Sequence, residues 1–392
     1  MSVPIDTEAG IDELAQSAVK VAKQLITESE PNKKRYDKAS RKRFSRLFKD
    51  PKAISVTVSL TDEVMRITSA KDAARVLKKS AKSATLTGFG LINAVGLKVI
   101  AAISMVLPKP VLFAVHTQVK RLSKGIILPS ESSKLAKQIK RRAKKDIRLN
   151  INVLGEAVLG EREAAERFER VLEMMKRPEV DYVSVKLSSV VSQIITLDQD
   201  GTLKRVSEKL RIIYKNSIQS HTFINLDMEE FRDLRLTVDA FKLVLSEEEF
   251  EKLYAGIVLQ AYLPESHEVF AELVKWSKER HKNTGGVIKI RLVKGANLAM
   301  EKAEATLHGW VAAPYQSKAA VDASYSRLLD TALRPDHADA VRIGVASHNL
   351  FHIAFAIEIA KKRKVMDQLD IEMLEGMANP EALAIANRKL RI

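Results

Sequence analysis

The order of apolar and polar positions divides the chain into two styles. Ahead of about Asn150, apolar residues recur at helical spacing. Ile11, Leu14, Ala18, Val21, Ala22 and Leu25 predict a short amphipathic helix. A charged stretch covers residues 33–49, and residues 50–60 (DPKAISVTVSL) alternate Val, Ile and Thr in the manner of a strand. An apolar run follows from Ala84 to Val115, broken by Lys98, Pro108, Lys109 and Pro110; two packed helices meeting at the prolines account for it.

Beyond Asn150, short Val- and Ile-rich runs alternate with helical patterns. The runs are residues 182–187 (YVSVKL), 223–227 (FINLD), 256–262 (GIVLQAY), 287–293 (VIKIRLV), 341–348 (VRIGVASH) and 369–374 (LDIEML). Between them lie segments such as 266–281, where Val269, Phe270, Leu273 and Trp276 share a face. Strand alternating with helix at this period predicts parallel strands with crossover helices. Lys186, Asp227, Gln260, Arg291, His348 and Glu375 stand at or near the strand ends, separated by 41, 33, 31, 57 and 27 residues. The gap of 57 is close to two βα units, so a seventh strand is expected between Arg291 and His348, at residues 312–318 (AAPYQSK). A doubly wound sheet would carry a glycine-rich phosphate turn, and neither G-x-G-x-x-G nor a Walker sequence occurs. Polar residues at the end of strand after strand mark the active face of a (βα)₈ barrel.

Charge sharpens this division. Of the net +16, residues 1–150 carry 31 Lys/Arg against 13 Asp/Glu, or +18, and residues 151–392 carry 34 against 36, or −2. No acidic residue occurs between Ala73 and Ser130. Such a segment suits anionic lipid headgroups or nucleic-acid phosphate. Zinc-finger spacing, basic-zipper heptads and an aromatic RNA-binding signature are all lacking, so no specific nucleic acid is expected. The apolar run from Leu91 to Leu107 has 17 residues with Lys98 in its middle, short of the ~20 that span a bilayer. The 392 residues include no cysteine, which excludes disulfides, thiolate metal sites and a cysteine nucleophile. The start of the chain, MSVPIDTEAG, carries carboxylates where a secretion signal needs basic residues, and a cytoplasmic location is expected.

The ring of strand-end residues offers Lys186 and Arg291 as cations, Asp227 as carboxylate, Gln260 as amide and His348 as imidazole. A structural ion pair closing the barrel top is the plain alternative to a reactive site. Oxygen-rich metal cages need more carboxylates, His348 and His352 lack the Glu of H-E-x-x-H, and no G-x-S-x-G elbow supplies a nucleophile, so no metal is expected. Residues 288–301 (IKIRLVKGANLAME) form the densest signal. A strand ends, Lys294 and Gly295 turn the chain, and a helix starts near Asn297. This suits an anionic or electron-rich cofactor at a helix N-terminus, or an ordinary βα loop with solvated lysines.

Residues 291–310 (RLVKGANLAMEKAEATLHGW) resemble the signature of the proline dehydrogenase domain of bacterial proline utilisation A proteins. Residues 149–164 (LNINVLGEAVLGEREA), 181–189 (DYVSVKLSS), 225–234 (NLDMEEFRDL), 257–266 (IVLQAYLPES), 313–325 (APYQSKAAVDASY) and 346–349 (ASHN) resemble further motifs in family order. Residues 125–132 extend the similarity upstream, and 50–66 do so more loosely. The resemblance implies a distorted (βα)₈ barrel over residues 146–392, preceded by a basic, mainly helical arm over residues 1–145. It implies FAD-dependent oxidation of L-proline to Δ1-pyrroline-5-carboxylate, with electrons passed to quinone at the inner face of the membrane. By the same resemblance Arg291 tunes the flavin, Lys186 and Asp227 line the proline pocket as a charged pair, and Leu374 forms an apolar wall. Gln260, Val293, Lys294, Gly295, Lys318, His348 and Asn349 match flavin-contacting positions. Asn297 stands where some relatives have Tyr. The chain lacks a ribbon-helix-helix module, the aldehyde dehydrogenase half and, after Ile392, the last strand and its arginine pair, so an incomplete barrel with weak proline binding is expected. A homo-oligomer stays open. The competing reading is a non-catalytic fragment or binding module whose basic half contacts membrane or nucleic acid.

Overall fold

The structure is a computed structural model that describes residues 8–33, 45–46, 49–64, 67, 69–85, 88, 91–122, 132–153, 158, 160–195, 197–228 and 230–392. The chain forms two compact units. One comprises residues 1–28, 130–374 and 381–392, and the other residues 29–129 and 375–380.

The first unit is a (βα)₈-type barrel, as the strand–helix alternation implies. Its strands are β1 (Ile151–Asn152), β2 (Tyr182–Lys186), β3 (Phe223–Asp227), β4 (Ala255–Gln260), β5 (Ile288–Val293), β6 (Val341–Ala346) and β7 (Leu369–Glu372). All pairings are parallel, and the spatial order β1 to β7 follows the sequence. Crossover helices produce this topology, because a parallel neighbour can be reached only by returning along the outside of the sheet. They include Glu161–Met175, Gln199–Ser220, Leu234–Leu245, Ser266–Thr284, Lys318–Ala332 and Leu350–Lys362. Ile224, Leu226, Ile257, Leu259, Ile290, Leu292, Ile343 and Val345 point outward under these helices and are fully buried. The alternate positions face inward and are largely polar. Beyond the sheet proper, the Ile371 N–H bonds the Arg391 carbonyl (2.9 Å) and the Arg148 N–H bonds the Ile392 carbonyl (2.8 Å). The last two residues thereby sit between β7 and the approach to β1.

Two expectations about strands are overturned. Residues 312–318 form no strand; their Tyr315 N–H makes a single bond to the Tyr262 carbonyl at 2.8 Å. The seventh strand is instead β1, whose two residues are too few for an alternation to show. Residues 50–60 are helical, as Pro51–Val58 followed by a π-helical turn over Ser59–Val64. Asp50 caps this helix, accepting from the Lys52 and Ala53 N–H groups at 3.1 and 3.3 Å, and Pro51 occupies its first turn. An N-cap followed by proline outweighs the strand preference of Val, Ile and Thr, which is a weak context-dependent bias.

The second unit is helical. Helices Ala70–Lys82, Leu91–Ile103 and Pro108–Leu122 surround a small core of Val64, Ala73, Leu77, Ala81, Ala101 and Leu112. The helix pair flanking Pro108 is thus present as expected. In the first unit, the helix Glu8–Ser29 buries Leu14, Ala18, Val21, Ala22 and Leu25 on one stripe, while Ile11 stays exposed.

Candidate active site

Side chains two apart on a strand share a face, so an inward-facing row is legible from the register. Ser184 and Lys186 on β2 lie beside Asn225 and Asp227 on β3, with Lys186 and Asp227 direct cross-strand partners. Lys289 and Arg291 follow on β5, and Asp370 and Glu372 on β7. Arg291 donates from Nη1 to Asp227 (2.8 Å) and Ser184 (3.3 Å), and from Nη2 to the Tyr182 hydroxyl (2.7 Å). Its Nε lies 2.6 Å from Glu372. Strands β2 and β5 are three apart, or about 14 Å in a flat sheet, so these bonds require the sheet to curl into a barrel.

The ion pairs form a chain of alternating sign. Arg391 meets Asp370 at 2.8 Å, and Asp370 and Glu372 each lie 2.8 Å from Lys289 Nζ. Glu372 then meets Arg291, and Arg291 meets Asp227. Asp227 also accepts from Asn225 (2.9 Å), Ser184 (3.0 Å) and Asn152 (3.1 Å). Burial opposes the charges of Lys289 and Arg291, but the facing carboxylates outweigh it, and both cations are held above their ordinary values. Burial likewise works against Glu372, yet Lys289 and Arg291 together keep its carboxyl below the usual range. At Asp227 burial prevails over Arg291 and its hydrogen bonds, and its pKa is raised. Tyr182 is pushed up to about 12, chiefly by burial.

A second group lies where the chain leaves β5 and β6. Gly295 adopts φ +126°, and a Cβ there would fall 2.3 Å from the Tyr262 ring, so this turn needs glycine. Lys294 and Lys318 both pair with Asp322. His348 accepts the Leu374 N–H on Nε2 at 3.1 Å, which assigns its proton to Nδ1; that Nδ1 is buried without a hydrogen-bond partner among the described residues. His352 Nδ1 is in the same condition, and its ring meets Tyr325 edge-on at 5.2 Å. Burial, assisted by Lys294, lowers the His352 pKa to about 4, and burial also lowers that of His348. Both are neutral at pH 7.

The sequence-derived residues therefore fall into three sets. Asp227 and Arg291 are in direct contact, and Lys186 is buried beside them, where its charge acts on Asp233. Arg291 pairs with Asp227 at 2.8 Å. Lys294, Gly295, Lys318 and His348 gather around the β5 and β6 exits, with Gln260 buried at the end of β4 and Val293 closing β5. Asn349 is the N-cap of Leu350–Lys362 and accepts the Phe351 N–H at 2.9 Å. Leu374 follows β7 with its side chain exposed. Glu375 lies beyond the end of β7 and in the other unit; the carboxylate closing β7 is Glu372. Sequence reading missed Glu372, Asp370, Lys289, Tyr182 and Ser184. Their signal was the period-two placement of polar residues inside apolar strands, K-x-R in residues 289–291 and D-x-E in residues 370–372.

A parallel barrel that carries its charged side chains on the inner strand positions and around the strand exits defines a (βα)₈-type domain with its site at the carboxyl end of the sheet. The chain belongs to the proline dehydrogenase family, whose profile matches residues 135–392, and its domain is of the dehydrogenase type. Among solved structures, it is similar to proline utilization A (PutA) from Corynebacterium freiburgense, 48% identical with TM-score 0.66, covering 70% of this chain and 28% of that one. It is also similar to PutA from Bdellovibrio bacteriovorus inactivated by N-propargylglycine, 25% identical with TM-score 0.79, covering 96% and 39%. Curated relatives include the bifunctional protein PutA of Klebsiella aerogenes, 25% identical over 200 residues, and the hydroxyproline dehydrogenase of Rattus norvegicus, 34% identical over 131. The matches cover 50% and 33% of this chain, and 15% and 26% of those two proteins respectively.

Proposed function

We propose that the barrel oxidises L-proline to Δ1-pyrroline-5-carboxylate with FAD as cofactor, and that the electrons pass to quinone at a membrane. The observation that carries this reading is Arg291, fixed by two carboxylates, a serine and a tyrosine at the inner face of β5. A buried guanidinium held on several sides cannot swing away, so it presents a constant positive field to whatever binds above it.

The residues around the β5 and β6 exits fit FAD. Lys294 and Lys318 suit a pyrophosphate, the tight turn at Gly295 allows close backbone approach, and the buried Nδ1–H of His348 has, among the described residues, no acceptor, which a bound group could supply. Arg291, Gln260, Val293 and Asn349 complete the proposed contacts. Bound FAD supplies the two-electron acceptor. The protein's part is positional. Lys186 and Asp227 line the substrate side of the inner row, and Leu374 offers an apolar face to a pyrrolidine ring. Arg291 opposes the negative charge that accumulates on reduction.

Arg291→Met and Arg291→Lys test this reading in the flavin-loaded chain. Proline-dependent dye reduction is expected to fall by more than about tenfold in both, since Lys keeps the charge but not the fork. Unchanged flavin binding and turnover in Arg291→Met would refute the assignment. N-propargylglycine is expected to inactivate the chain with protection by L-proline. Comparing proline with hydroxyproline as substrates decides between the two substrate names carried by the relatives.

A further inference from the structure

The inner rows of the sheet run on to the amino end of the barrel, opposite the candidate active site. Lys289 stands in register with Gly256 on β4 and Arg342 on β6, and Gly344 with Asp370 on β7, so Arg342 and Asp370 belong to the inward set. Tyr254, two residues ahead of Gly256, continues the same row, and its ring meets Phe223 at 4.6 Å. A cavity of about 340 Å³ opens at this end, lined by Lys252, Tyr254, Gly285, Arg342, Asp370 and Arg391. All six belong to the barrel unit. Pockets that take small molecules begin at about 300 Å³.

Barrel interiors are ordinarily filled by branched apolar side chains. Here three cations line the space with one carboxylate, and that carboxylate is already shared: Asp370 lies 2.8 Å from both Arg391 and Lys289. Lys252 and Arg342 have no carboxylate within ion-pair distance among the described residues, and Arg342 donates from Nη1 to the Ala338 carbonyl. Arg391 is held in place by Asp370 and by the carbonyls of Asp367 and Leu369. The Tyr254 hydroxyl has no hydrogen-bond partner among the described residues, and burial raises its pKa, so it keeps its proton and can donate. Beside Gly285 the space is open, since a Cβ there would meet nothing within 4 Å. A cleft lined by one sign of charge concentrates counter-ions, and guanidinium groups bond carboxylate and phosphate oxygens in pairs.

We propose that the amino-terminal mouth of the barrel binds a small polyvalent oxyanion, a phosphate or a dicarboxylate, with Arg342 as its principal partner and Lys252, Arg391 and the Tyr254 hydroxyl completing the contacts. The site lies away from Lys294 and Lys318 and does not depend on the proposed function.

Calorimetric titration of the full chain at low ionic strength, with inorganic phosphate and with succinate as probes, tests this. Saturable binding at this site is expected for at least one probe, and the tighter of the two names the source. Arg342→Gln, checked for native dichroism, should weaken binding by about tenfold or more. Tyr254→Phe, which removes only the hydroxyl, should weaken it by about three- to tenfold. Lys294→Ala probes the other end of the barrel, where phosphate would also be attracted, and should leave this affinity within about twofold of wild type. The thermal midpoint should rise with the binding probe in wild type and stay fixed in Arg342→Gln. Absence of saturable binding with both probes overturns the proposal. So does unchanged affinity in both Arg342→Gln and Tyr254→Phe. Binding lost in Lys294→Ala and retained in Arg342→Gln overturns it in favour of an anion at the carboxyl end of the sheet.

Discussion

Among the described residues, Glu372 is the one carboxylate that touches both Lys289 and Arg291, and Glu372→Gln removes its charge while keeping its shape. Wild-type Glu372 lies 2.8 Å from Lys289 and 2.6 Å from Arg291. Without it, two cations on the same face of β5 face each other across an uncharged amide. Breaking a buried pair by removing one partner costs about 3–5 kcal/mol. Here Asp370 still holds Lys289 and Asp227 still holds Arg291, both at 2.8 Å, which places the expected loss at the lower end, ~3 kcal/mol. For a domain of this size that lowers the thermal midpoint by about 6–12 °C. Chemical denaturation of the variant, followed by far-ultraviolet dichroism, gives the value. A double variant with Lys289→Met should lose less than the sum of the single changes, because each removes the other's orphaned charge. The pH dependence has a definite sign. The folded carboxyl sits below its ordinary value of 4.5, so its contribution is complete above that pH and is lost as the pH falls through the lower folded value. Glu372→Gln should flatten acid unfolding in that range. A midpoint within about 1 °C of wild type, with unchanged acid sensitivity, would show that the alternating chain contributes nothing.

Two further changes read other parts of the same construction. Burial, followed by the nearby Glu230, raises the Asp233 pKa from 3.8 to about 6, so the native state binds the extra proton in that interval and stability declines as the pH rises through it. Asp233→Asn should remove this decline and stabilise the protein at pH 7 by about 3 kcal/mol, with little difference from wild type below pH 3.8; parallel denaturation curves across that interval check it. Gly344→Ala introduces a Cβ 2.4 Å from Glu372 and 2.9 Å from Lys289, and displacing those two should cost about 1–3 kcal/mol together with proline turnover, measured by dye reduction.

Sequence reading recovered what periodicity encodes and missed what lies inside a short element. Six of the seven strands announce themselves because their outward positions carry Val, Ile and Leu at every second residue, buried under the helices. β1 does not, since two residues hold no pattern, and its place was assigned to residues 312–318, where a proline-containing loop happens to fall at the right spacing. The helix Pro51–Val58 was read by composition while its Asp-Pro start went unused. At the site, Arg291 and Asp227 were visible as charges closing apolar strands. Glu372 is not, because Glu375 also stands near the strand end in sequence, and only the register shows that the odd positions of β5 and the even positions of β7 converge on one interior. Which carboxylate meets which cation depends on the curl of the sheet, and this no linear pattern carries.

Anaerobic mixing of the FAD-reconstituted chain with L-proline tests the central claim most directly. The proposed function requires proline to bleach the oxidised flavin band, with Δ1-pyrroline-5-carboxylate formed in equal amount. A flavin band that proline leaves unchanged while dithionite bleaches it, in a protein shown to be folded, would contradict it.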